Sequence, residues 1–297
     1  LMAINRMFTM LSRAAASSAR VLEVLDTPVE LYETEPHYSL LPENAPHIAV
    51  RDVTFRYDRG SFTVRGLSFT LQRGETLGII GATGAGKSTI VRALMRYYDV
   101  KSGAIEIDGV DIRDYATTDL RAKFGVVFQN DTLFKDTIRE NIRLGRSLSD
   151  EELLEAARRA QALDFIQAQG GLDAPVAIKG ANLSGGQKQR LLIARALAGS
   201  PEILVLDDSS SALDYKTDAR LREEIRLHYA SATKIIVAQR VSSIMHAEKI
   251  LVMENGRVIG MGTHDELMET CPLYREIGDS QIGDRRPESV GGEGVLA

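Results

Sequence analysis

Residues Gly81 to Thr89 read Gly-Ala-Thr-Gly-Ala-Gly-Lys-Ser-Thr. Gly81, four residues, then Gly86-Lys87-Ser88 is the spacing of a phosphate-binding P-loop. Glycines let the backbone turn so that successive N–H groups converge on phosphate oxygens. A helix starting at the same point adds partial positive charge. Lys87 would reach the β- and γ-phosphates of a nucleotide, and the Ser88 hydroxyl would bind Mg²⁺. Gly81, Thr83, Gly84, Gly86, Lys87, Ser88 and Thr89 are therefore candidate nucleotide contacts. Leu77-Gly78-Ile79-Ile80 before them predicts a strand, and Ile90 to Met95 after them a helix, which is the setting such a loop needs.

Two further segments carry chemistry only in this company. Ile203-Leu204-Val205-Leu206 is an apolar run ending in Asp207. A carboxylate at the C-terminal end of such a strand can hold the Mg²⁺ that Ser88 touches, although alone the pattern is equally structural. Leu183-Ser184-Gly185-Gly186-Gln187 opens another helix. Its serine and glycines make either an anion-binding turn or a plain helix N-terminus capped by Ser184. One chain seldom needs two anion turns for one nucleotide. The economical functional reading closes this turn over the γ-phosphate of a nucleotide held by a second subunit.

The elements that must position these residues can be read around them. A chain of 297 residues, 44% hydrophobic and 26% charged, can bury a substantial core. Its net charge of −5 argues against a general nucleic-acid binder. A single cysteine, Cys271, excludes an internal disulfide and fits a reducing compartment. No run approaches the length of a membrane span, and the start lacks the apolar core of a signal peptide. Beginning at Leu1 rather than Met, the sequence reads as a piece of something longer.

Residues 2–25 predict a helix with Met7, Met10, Leu11 and Ala14 on one face, stopped by Asp26-Thr27-Pro28. Residues 26–46, with Pro28, Pro36, Pro42 and Pro46, read as a linker. Strands are predicted over 48–57, 62–71, 76–80, 104–107, 124–128, 203–206 and 234–238. A hairpin is predicted about Asn255-Gly256. Helices are predicted over 150–169, from Ser184, and over 219–229, and the Gly- and Glu-rich tail from about 279 reads as disordered.

The P-loop, Leu-Ser-Gly-Gly-Gln and the strand ending in Asp207, in that order, resemble the nucleotide-binding domain of ABC transporters. The resemblance covers about residues 47–278 and extends to Gln129, Tyr57 and Ser211-Ala212-Leu213-Asp214. Thr137 to Ile142 and the helix before Val24-Leu25-Asp26-Thr27-Pro28 look like exporter-type members, that helix resembling the cytoplasmic end of a last transmembrane helix. The family implies an α/β fold: a P-loop ATPase core, an antiparallel β subdomain and an inserted α-helical subdomain at about 130–195. It implies ATP and Mg²⁺ as ligands, with Ser88, Gln129 and Asp207 at the metal. Tyr57 would stack on adenine, its alternative being an ordinary strand aromatic. Gln129 would reach the attacking water and couple the site to a membrane domain. Ser184, Gly185, Gly186, Gln187 and Asp214 would act across a dimer of two such domains.

Two positions depart from the family pattern within one site. Asp208 stands where most members have Glu, and its carboxylate falls short by about 1.5 Å, one C–C bond. Gln239 stands where members have a His at the γ-phosphate, and a carboxamide cannot become cationic. His246, seven residues on, is not expected to substitute. The binding groups Lys87, Ser88, Asp207 and Gln129 remain. The resemblance therefore implies a site that binds Mg–ATP but hydrolyses it slowly, with Asp208, Gln239 and Gln129 at the reacting end. The intact Ser184 turn would complete a competent site on a partner chain. Exporters also carry Glu near Ile178, absent here, which puts one membrane-domain contact in doubt. The implied setting is the cytoplasmic face of a membrane, plasma or inner, reached through a missing N-terminal region. Alternatives are a soluble ABC ATPase of translation or DNA maintenance, and an ATP-sensing dimerisation module without catalysis.

Overall fold

A computed structural model describes residues 2–27, 31, 45–57, 63–209 and 212–283. In chain order they form α1 (Met2–Leu25), β1 (Ile48–Arg56), β2 (Thr63–Leu71), β3 (Thr76–Gly81), α2 (Lys87–Leu94), β4 (Ser102–Ile107), β5 (Val110–Asp111), α3 (Thr117–Ala122) and β6 (Phe124–Val127). There follow β7 (Asp136–Thr137), α4 (Ile138–Arg143), α5 (Asp150–Arg159), α6 (Leu163–Ala168), β8 (Pro175–Val176), α7 (Gly185–Leu197) and β9 (Ile203–Asp207). The last described elements are α8 (Tyr215–His228), β10 (Thr233–Val237), β11 (Lys249–Glu254), β12 (Arg257–Gly262), α9 (His264–Thr270) and α10 (Pro272–Gly283).

Apolar runs without alternation become the middle of a parallel sheet, because both faces are covered. β9 is buried at all five positions, and β3 is buried from Leu77 to Ile80. The six-stranded sheet runs β12-β11-β3-β10-β9-β6, parallel except for β12. β6, β9, β10 and β3 are neighbours and point the same way, so their C-terminal ends form one rim. In open α/β sheets that rim is where ligands bind. A separate antiparallel sheet, β2-β1-β4-β5, packs Val50, Phe55, Leu67 and Ile105 into the same core as β3 and α2. A second core joins α4, α5, α6 and α7 to the other face of β9 through Leu204 and Leu206. The fold is the mixed α/β P-loop ATPase architecture with an antiparallel subdomain and inserted helical elements.

Several predicted elements differ in detail. The helix predicted over 150–169 is two helices. Gln161 takes a left-handed φ of 58°, Ala162 N donates to Ala157 O at 2.8 Å, and Gln161 N donates to Arg158 O at 3.0 Å, a Schellman stop without glycine. The helix predicted over 219–229 begins at its Asp214 cap. His246 lies on an exposed turn. α10 continues past 279 to Gly283. Most of the predicted linker, Phe62, Ser211 and the tail from 284 lie outside the described residues. The hairpin turn is as predicted, with Asn255 and Gly256 both at positive φ, 49° and 76°. α1 is one continuous helix whose residues are all exposed, and no described helix is long and apolar enough to cross a membrane.

Candidate nucleotide site

The loop between β3 and α2 is held by close backbone packing. A Cβ at Gly81 would lie 2.1 Å from the Met253 carbonyl oxygen, so β3 can end here only as glycine. Gly86 has φ 104° and forms the N-cap of α2, a conformation side chains resist. The hairpin tip supports the loop, with Gly256 N donating to Ala85 O at 3.1 Å. Lys87 Nζ donates to Gly81 O at 2.8 Å and Ala82 O at 2.9 Å, so its ammonium lies over the loop. Burial lowers the Lys87 pKa, and the Asp207 and Asp208 carboxylates oppose that shift.

A cavity of about 320 Å³ opens beside this loop, at the small end of the range for ligand pockets. Thr83, Gly84, Gly86, Lys87, Ser88 and Thr89 line it from one side. Asp207, Asp208, Gln129 and Gln239 line it from the strand ends, and Tyr57 also borders it. Open space adjoins Gly84, where an added Cβ would meet nothing within 4 Å. The Asp207 pKa is raised by burial and by neighbouring Asp208, against the Ser88 hydroxyl bond and the Lys87 and Arg92 charges. A buried carboxylate touching a hydroxyl at a helix N-terminus, with an ammonium nearby, is a donor set that fits a hard cation and a polyphosphate.

Asp208 follows the strand in a left-handed conformation, φ 52°, and its N–H donates to Val237 O at 2.9 Å. That turn brings its carboxylate to two carboxamides. Gln239 Nε2 donates to Asp208 Oδ2 at 2.8 Å and Gln129 Nε2 to the same oxygen at 3.5 Å. The three residues expected at the reacting end thus meet in one cluster.

Tyr57 stands just past β1, edge-on to Phe55 at 4.8 Å and Tyr98 at 5.3 Å between centroids. Arg92 donates to the Tyr57 hydroxyl at 3.3 Å and also borders the cavity. Arg92 lies outside the motifs that mark the site in the sequence. The signal was available, because Arg92 is four residues after Ser88 and so shares its helix face.

Ser184, Gly185, Gly186, Gln187 and Asp214 do not line this cavity. Ser184 Oγ accepts from Gln187 N at 3.3 Å, and Gln187 Oε1 accepts from Ser184 N at 2.9 Å, a full capping box. Asp214 caps α8, accepting from Lys216 N, Thr217 N and Thr217 Oγ1, and these bonds lower its pKa. The glycine turn does approach the loop before α8: a Cβ at Gly186 would be 3.4 Å from Ala212 O.

A P-loop closing one parallel strand, with an acidic residue ending the strand two places away, defines a P-loop nucleotide-binding domain. Residues 64–211 match the ABC transporter family. A putative multidrug export ATP-binding/permease protein of Bacillus subtilis is 41% identical over 272 residues, spanning 91% of this chain and 47% of the relative. An uncharacterised ABC transporter ATP-binding protein of Mycobacterium tuberculosis is 41% identical over 278 residues, again 91% and 47%. Among solved structures, a bacterial Atm1-family ABC exporter with ATP bound superposes with a TM-score of 0.82 at 38% identity, over 93% of this chain and 49% of that one. The chain contains an ABC transporter nucleotide-binding domain. It spans about half the length of the curated relatives it matches.

Proposed function

We propose that this chain is the ATP-binding part of a heteromeric ABC exporter and owns its slow site. Lys87, the α2 N-terminus, Ser88 and Asp207 would hold Mg–ATP, with Tyr57 at the base and Gln129 near the metal. Bound Mg²⁺ neutralises charge on the phosphate oxygens. The reading rests on one observation, the Asp208 carboxylate accepting from the Gln239 carboxamide. A carboxylate that is to orient and deprotonate water does best facing the water. Here it is engaged by a neutral amide, and that amide can offer no positive charge to the γ-phosphate. General-base help is worth about 10²–10⁴-fold and a lost stabilising donor about 10²–10³-fold, without simple addition.

The Ser184 turn would complete a competent site on a second chain carrying Glu and His at the altered positions. α1 would be the cytoplasmic end of the last membrane helix, placing residues 47–278 at the cytoplasmic face. The test is single-turnover hydrolysis, protein in excess over Mg–ATP. This chain alone should turn over slowly, and Asp208→Glu with Gln239→His should raise the rate by about 10²-fold or more. Turnover typical of competent ABC ATPases in the unmodified chain, or no gain in the double variant with its partner, would overturn the slow-site reading. Absence of hydrolysis in every combination would favour the ATP-sensing module.

A further inference from the structure

The loop that carries Gln239 has no regular structure to hold it. β10 ends at Val237, and a single 3₁₀ turn begins only at Val241. The Gln239 carbonyl and the Val241 N–H are therefore outside any ladder, yet both are partnered by one side chain. Gln281 Nε2 donates to Gln239 O at 2.8 Å, and Val241 N donates to Gln281 Oε1 at 2.9 Å. One carboxamide closes on the loop as a neighbouring strand would.

Gln281 reaches this place because of how α10 is seated. Tyr274, Ile277 and Gln281 follow the i, i+3, i+7 spacing of one helix face. Tyr274 is fully buried, and it and Ile277 pack in the small core with Ala238, Val241 and Ile244. The Tyr274 hydroxyl is further tied to His264 Nδ1 at 2.9 Å. The apolar part of the face fixes the helix, and the carboxamide at its end fixes the loop. Through that loop the Gln239 side chain meets Asp208 at the rim of the nucleotide cavity.

We infer that Gln281 is a positioning residue for the nucleotide site, setting through the 239–241 backbone where the Gln239 carboxamide stands. α10 is then part of the site's apparatus at the terminal-phosphate end, although it contributes no group to the cavity. The inference rests on the reading that Gln239 faces the γ-phosphate, and the experiment separates the two.

Mg–AMPPNP and Mg–ADP are titrated into the full chain by calorimetry, with wild type, Gln281→Met, Gln281→Glu, Gln239→Ala and the Gln239→Ala/Gln281→Met pair. Methionine keeps the size and packing and removes both bonds. Glutamate keeps the acceptor for Val241 N–H and loses the donor to Gln239 O. Gln281→Met should weaken Mg–AMPPNP by about two- to tenfold, the range for one or two net hydrogen bonds, and leave Mg–ADP unchanged. Gln281→Glu should fall at or between these values. In the Gln239→Ala background Gln281→Met should add nothing, because its effect passes through Gln239. Amide hydrogen exchange should quicken at 239–241 in Gln281→Met, with 272–278 unaltered.

Equal weakening of both nucleotides, or an undiminished effect in the Gln239→Ala background, would mean Gln281 is merely structural. If Gln239→Ala itself leaves the Mg–AMPPNP to Mg–ADP ratio unchanged, Gln239 does not face the γ-phosphate and both readings fall. If Gln239→Ala changes that ratio and Gln281→Met does not, only the positioning role is lost.

Discussion

The two ends of the nucleotide cavity are built differently. Lys87 and Ser88 open α2, and Asp207 is the last residue of β9, so regular elements dictate their positions. Asp208, Gln239 and Gln129 stand one or two residues beyond strand ends. Asp208 sits in a left-handed conformation and Gln239 on a loop tied to α10 by one side chain. Elements whose own hydrogen bonds fix them carry the groups proposed to bind Mg–ATP. The groups proposed to react hang on short irregular backbone, where a substitution would change chemistry with little change in fold. On the proposed reading, an ABC domain built this way would keep its affinity and lose its rate.

The sharpest way to break the comparison is to restore the second end alone. Asp208→Glu and Gln239→His should each give less than the pair, since on the proposed reading the two groups serve one step, and they bond one another. A full gain from Asp208→Glu alone, measured as single-turnover rate, would mean that Gln239 is a bystander. Next in size is loss at the first end. Lys87→Ala removes a charge-assisted phosphate contact and should weaken Mg–ATP by roughly 10–100-fold, about 1.5–3 kcal/mol. Asp208→Ala should leave affinity within about threefold of wild type, because no binding is assigned to it. Similar losses in both variants would erase the distinction between the ends.

The first end was legible from the sequence, because glycine spacing and element order are local. Gly81 to Thr89 named its ligand, and the strand ending in Asp207 needed only its burial to be found. Asn255-Gly256 announced its turn for the same reason, two residues that tolerate positive φ between two apolar runs. The second end was legible only as a resemblance. Nothing in the residues 208, 239 and 129 says that three strand ends lie side by side. That fact belongs to the strand order β3-β10-β9-β6. Gln281 was beyond reach, since its role depends on where a C-terminal helix docks. Gln161 misled, because a non-glycine Schellman stop has no strong residue signal inside a helical pattern.

A smaller effect tests the Ser184 turn, which reads both as a helix cap and as half of a partner's site. Ser184→Ala removes the Oγ acceptor and should lower stability by about 1 kcal/mol, measured by urea unfolding. Affinity of this chain's own cavity for Mg–ATP should not change, as no residue of the turn lines it. With the proposed partner present, ATPase activity should fall further than the stability loss explains. Equal activity at equal folded fraction would leave Ser184 a cap and nothing more.

The smallest effect concerns pH and lies away from both ends. His47 is buried where β1 begins, between the antiparallel sheet and β10. Thr233 Oγ1 donates to Gln72 O at 3.2 Å, so in the 2.6 Å contact with His47 the ring's Nδ1 must be the donor. Nε2 is then bare of hydrogen and without a partner, 3.9 Å from Glu202 Oε2. Burial lowers the His47 pKa, as do the Arg73 and Lys123 cations, and the Asp108 and Glu202 carboxylates only partly oppose them. The folded state therefore binds the proton less readily than the unfolded chain. Stability from this residue is complete above the ordinary histidine pKa, about 6.5, and is lost as pH falls below it towards the lowered folded value. His47→Gln keeps a donor for Thr233 and cannot titrate. Its Tm should fall less than the wild-type Tm between pH 7.5 and 5.5, by about 2–4 °C if the difference is worth roughly 1 kcal/mol. Mg–ATP affinity should be equal in the two proteins at pH 7.5. A parallel fall in Tm would exclude His47 as the titrating group, and a change in affinity would show that the binding end feels the sheet junction after all.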